Sequence, residues 1–74
     1  MANRAYRYHI THPATGRVFC QDATGAPVGL AELAPGLHAA ALRKPIADAT
    51  VRLLTKKFRI AGLQVVPVKE YPAQ

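Results

Sequence analysis

The sequence predicts a small α+β domain: an N-terminal β-hairpin or meander, two helices split at Pro45, and a C-terminal β-strand completing a mostly antiparallel sheet. Three observations carry this reading. Apolar and polar residues alternate between positions 4 and 12; turn residues cluster at 13–16 and again at 22–27; and apolar residues recur at helical spacing from Ala47 to Ala61. Seventy-four residues, half of them apolar, suffice for one core and leave no room for a second, so residues 1–74 read as a single small basic domain with 1–3 and 72–74 frayed. A chain this short is expected to be stable by only about 3–5 kcal/mol.

The first strand runs over 4–12, with Tyr6, Tyr8 and Ile10 on one face and Arg7, His9 and Thr11 on the other. Pro13-Ala14-Thr15-Gly16 supplies a four-residue turn, and a second strand follows from Arg17 to Gln21. That loop length sets Ile10 opposite Phe19 and Tyr8 opposite Gln21. Asp22-Ala23-Thr24-Gly25-Ala26-Pro27 is a second turn that reuses the tripeptide Ala-Thr-Gly. Residues 28–33 are compatible with either a short third strand or an extended lead into the helices.

Pro35 suits the first turn of a helix over 35–43, with Leu37, Ala40 and Ala41 as a narrow apolar stripe. Pro45 ends that helix and opens a second over 45–61, whose apolar face is Ala47, Val51, Leu54, Phe58 and Ala61. Gly62 is a suitable residue just past its end, and Asp48 in the first turn and Lys56, Lys57 and Arg59 near the last complement the helix dipole. Residues 63–71 form a last strand, placed at a sheet edge or a bulge because Pro67 has no N–H.

Charge is the main functional signal. The net charge is +6, and six of the ten Lys and Arg residues lie between Arg43 and Arg59 against one acid, Asp48. At about 100° per residue, Arg52, Lys56 and Arg59 share one sector of the second helix, clear of the core arc. Such a stripe suits phosphates or the carboxylates of a partner, although an ordinary solvated face with an Asp48–Arg52 pair would also account for it. Lys57 points into the wide apolar arc beside Ile46, Leu53 and Ile60, and Arg43 and Lys44 sit at the bend before Pro45. Arg4 and Arg7 interleave with tyrosines as in single-strand platforms, but the tyrosine face is needed for the core. The candidate partner-binding set is therefore Arg4, Arg7, Arg43, Lys44, Arg52, Lys56, Lys57 and Arg59.

Other chemistries find little support. His9, His12, His38 and Cys20 lack metal-ligand spacing, even though the hairpin brings His9 near Cys20, so no metal is expected and Cys20 reads as a small buried apolar residue. No catalytic pair, phosphate-binding loop or cofactor motif is present, and Ser and Trp do not occur, so the expectation is a protein that is not an enzyme and has no small-molecule substrate. The helices about Pro45 only faintly suggest a helix-turn-helix. With one cysteine, no signal-peptide core and no membrane segment, the expected location is cytoplasmic.

The opening Tyr6-Arg7-Tyr8-His9-Ile10-Thr11-His12-Pro13 and the block Arg52-Leu53-Leu54-Thr55-Lys56-Lys57-Phe58-Arg59 resemble the small transcription regulators of lytic bacteriophages that bind host bacterial RNA polymerase. The resemblance implies docking on core subunits, around the start of the largest subunit and near the flap, in the host cytoplasm. It further implies inhibition of initiation at host promoters and antitermination during elongation. It assigns no individual contact residues. On this reading a sheet edge, formed by the first or last strand, can also pair with an extended polymerase segment. The alternative is a small basic domain that binds nucleic acid directly.

Overall fold

A computed structural model describes residues 7–68 and contains one antiparallel five-stranded sheet and one helix. The elements are β1 (Tyr8–His12), β2 (Arg17–Asp22), β3 (Pro27–Ala31), β4 (Leu37–Ala39), α1 (Lys44–Lys57) and β5 (Gln64–Pro67). The sheet order is β3-β2-β1-β5, and β4 also pairs with β2. Arg4, Tyr6, Tyr71 and the residues expected to fray lie outside the described residues.

The hairpin register follows from the four-residue turn. His12 pairs with Arg17 and Thr11 with Val18, the register that would bring Ile10 to Phe19. The two strands pair no further. The chain from Leu37 to Leu42 wedges between them, with Cys20 against Ala39, Gln21 against His38, and Ala40 N–H donating to the Phe19 carbonyl at 2.9 Å. Tyr8 exchanges both backbone groups with Leu42 (2.7 and 2.9 Å). The Ile10–Phe19 and Tyr8–Gln21 pairs are therefore replaced, and His9 meets Val66 on β5 rather than Cys20.

This wedge is also why the expected helix over 35–43 does not form. Gly36 has φ +89°, the left-handed region, and Leu37 N–H closes a tight turn on the Ala34 carbonyl at 2.9 Å. Three alanines at 39–41 give a helix little to bury, but they are thin enough to lie between two strands. The backbone groups then go into the sheet instead of a helix ladder. Cys20 is fully buried between Gly29 and Ala39, its neighbours on either side. Its thiol faces the Val18 carbonyl at 3.3 Å.

Pro67 lies in an edge strand, where a missing N–H is tolerated. Tyr8 spends its backbone groups on Leu42, so the Tyr8–Pro67 pair is one without inter-strand hydrogen bonds, and the proline forfeits no donor. Residues 28–33 resolve into a strand as far as Ala31, with a register shift opposite Cys20 and Gln21. Among the described strands β3 and β5 end the path and β4 is paired on one side, with β2; β1, an expected edge, is flanked by β2 and β5.

The single helix packs over β1 and β5, and Ala47 and Leu54 on the helix and Ile10 on β1 are buried. An α-helix is about 10 Å across and strands are about 4.8 Å apart, so one helix covers roughly two strands. Among the described residues no helix lies above the β2–β3 half of that face.

Candidate functional site

The helix begins after Arg43, which is extended (φ −71°, ψ 156°) and makes no side-chain cap. Its carbonyl accepts Ala47 N–H at 2.8 Å. Because the helix starts at Lys44, Asp48 falls in the second turn, and no acid occupies the first. Asp48 pairs with Lys44 at 3.2 Å instead of with Arg52. Lys44 is the better placed of the two bases, since its ammonium also lies 5.9 Å from the centre of the Tyr8 ring.

The helix ends at Lys57, four residues short of the expected Ala61. Arg59 takes φ +58°, and the Leu54 carbonyl accepts both Phe58 N–H (3.1 Å) and Ile60 N–H (3.2 Å). The reversal expected at Gly62 is thus made by an arginine, in a closure related to the Schellman motif. It turns Ile60 inward and frees the chain to return along β1. Gly62 serves the next bend, with φ +81° and open ground up to the His12 ring, 3.9 Å from where a Cβ would sit. Phe58 and Ala61, expected in the core, are exposed.

The cations fall into two groups. Lys44 is engaged within the molecule. Arg43, Arg52, Lys56, Lys57 and Arg59 are exposed, and among the described residues none of them makes an ion pair. Arg52 and Lys56 stand one turn apart on the outward flank of α1. Arg59 lies beyond the helix end, so helical spacing no longer sets its direction. Arg7 anchors β1 to β5, its carbonyl accepting Val68 N–H at 2.9 Å. Arg4 lies outside the described residues.

A second feature was not anticipated from sequence. Beside α1, above the uncovered half of the sheet, lies a cleft of about 620 Å³. Phe19 and Leu30 contribute from the sheet, Leu53, Leu54 and Phe58 from the helix, and Val28 from the outer strand. Leu53, Phe58 and Val28 are each at least half exposed, at 51%, 58% and 50%. Phe58 was expected at the core by its helical spacing. Only the uncovered sheet face turns it into a cleft wall.

The cleft's polar side chains are mostly spent. His12 Nε2–H donates to the Ala61 carbonyl at 2.9 Å, and its Nδ1 lies 2.7 Å from the Thr15 hydroxyl. Thr50 donates its hydroxyl to the Ile46 carbonyl at 2.8 Å. Among the described residues Arg17 is the one lining side chain that carries a permanent charge, and no acid lines the cleft.

Among the described residues no three His, Cys, Asp or Glu side chains gather at metal-binding distance, and no helix is long and apolar enough to cross a membrane. No family model, curated protein or solved structure matches the chain.

Proposed function

We propose that this is a non-enzymatic transcription regulator that acts by occupying an acidic surface of host RNA polymerase. The observation that carries the reading is the outward flank of α1. Arg52 and Lys56 stand exposed there, among the described residues neither pairs with a carboxylate, and Lys57 and Arg59 follow at the helix end. Cations so placed have only solvent or an acidic partner to meet, and they steer association through long-range attraction. The choice of polymerase, of the largest subunit's start and of the flap rests on the sequence resemblance. A protein of this kind inhibits initiation and favours read-through of terminators by binding one state of the enzyme better than another.

The test is direct binding of the purified protein to bacterial RNA polymerase, core and sigma-bearing, beside free duplex DNA. Saturable binding to polymerase, weakened at least about tenfold by reversing Arg52, Lys56 and Arg59 together, is the expected result. Tight binding to free DNA, with a log–log salt slope near −0.9 for each phosphate contacted and no affinity for polymerase, would replace this reading with direct nucleic-acid binding.

A further inference from the structure

We propose that the cleft between α1 and β3 is a docking site for an extended, acidic segment of another protein, added to the sheet as a strand beside β3. This surface is separate from the outward flank of α1. The inference holds whichever partner that flank engages.

The backbone supplies the first argument. Among the described residues β3 is a sheet edge, paired with β2 alone. The Phe19 carbonyl accepts Ala40 N–H on the opposite side of β2, so the Phe19–Leu30 pair is one without hydrogen bonds between its members. Ladder alternation then directs the Leu30 N–H and C=O away from β2, towards the open edge. An incoming strand meets a donor and an acceptor on the residue whose side chain also lines the cleft. Gly29 beside it has φ +115° and nothing within 4 Å of where a Cβ would stand, so a second backbone can approach closely.

The shape supplies the second. The cleft has a sheet floor and one helical wall, and among the described residues no element lies beyond β3 to form the other wall. A strand added there completes it. Side chains on one face of that strand, alternate residues by the period of two, enter between Leu30, Leu53 and Phe58. A small-molecule site would instead be enclosed and present several convergent polar groups. Here His12, Thr15 and Thr50 already have partners, which leaves the β3 backbone and Arg17.

Charge supplies the third. Arg17 and His12, paired across the hairpin, both line the cleft at its β1–β2 turn end. Glu32 follows β3 by one residue, but among the described residues it makes no ion pair with Arg17. A carboxylate on the incoming segment complements that end, whereas a basic segment is repelled.

The experiment titrates the isotope-labelled protein with three synthetic peptides and follows its amide resonances. One peptide alternates leucine with threonine and ends in aspartates. The second replaces those aspartates with lysines. The third is the aspartate peptide with its central amides N-methylated. Saturable binding of the aspartate peptide is expected, with slowed exchange of the Leu30 amide. Affinity should fall at least about tenfold for the lysine and N-methylated peptides and for the Leu53→Asp variant. The Arg52→Glu/Lys56→Glu variant should keep its peptide affinity within about threefold, which separates this site from the outward flank. The proposal is overturned if the aspartate peptide fails to saturate at millimolar concentration, or if the lysine or N-methylated peptide binds equally well. Self-association that protects the Leu30 amide would also overturn it, because a second copy would then be the occupant.

Discussion

The two halves of the sheet are built from similar strands and held by different forces. In the β1–β5 half, α1 excludes water, and Ile10 on β1 and Ala47 on the helix itself are fully buried. In the β2–β3 half, Phe19 and Leu30 keep partial access to solvent, and Val28 is half exposed. Its fully buried side chain, Cys20, is small, so that half depends more on ladder hydrogen bonds and on turn chemistry. At its tip the Asp22 carboxylate accepts from Thr24 N–H (2.9 Å), the Thr24 hydroxyl (2.6 Å) and Ala26 N–H (3.0 Å). Burial stabilises the covered half, and the open half keeps apolar surface in contact with solvent.

The contrast predicts its own mutational hierarchy. Ile10→Ala opens a void under the helix and should cost about 2–5 kcal/mol, comparable with the whole expected stability of so small a domain. Leu53→Ala, on the open side, should cost less than about 1 kcal/mol, since half its surface already meets water. Urea melts of the two variants measure both values, and equal losses would refute the distinction.

His12→Ala tests the seam. Its ring ties the β1–β2 turn to Ala61, 49 residues away in sequence. Loss of that bond should cost about 1 kcal/mol and loosen the Arg17 end of the cleft, read as faster amide exchange at Gly62 and Leu63.

Arg59→Gly acts in the other direction. A left-handed arginine is strained by about 1 kcal/mol, so glycine should raise stability by roughly 0.5 kcal/mol once its freer unfolded chain is counted. If Arg59 serves binding, as proposed, the same variant should hold its partner less well while melting higher. A higher melting point with unchanged polymerase affinity would remove Arg59 from the site.

The smallest effect is in pH. Hydrogen bonds from the Thr24 hydroxyl first, and from Ala26, lower the Asp22 pKa from the ordinary value of 3.8. A folded-state pKa below the unfolded one gives stability that is complete above the unfolded value and lost as pH falls through the folded one. Acid should therefore loosen the β2–β3 turn below about pH 4, and Asp22→Ala should abolish that dependence. Amide exchange at Thr24 and Ala26, compared between the two proteins across that range, provides the check.

Local signals were legible where local chemistry decided the outcome. Pro13 to Gly16 set the hairpin register, Asp22 to Pro27 made the second turn, Pro67 marked an edge strand, and Ala47, Val51 and Leu54 marked the inner face of α1. The exposed cations of that helix could also be read from their spacing, as far as Lys56. Three matters passed to the tertiary structure. Residues 37–42 joined the sheet because β1 and β2 diverged around them, an opportunity that helical spacing cannot register. The helix stopped at Lys57 because β5 had to return to β1, which put Arg59 in a conformation that local preference would have given to Gly62. The cleft exists because one helix spans only about two strands of the sheet, so the surface left bare is a property of the assembled layers rather than of any segment.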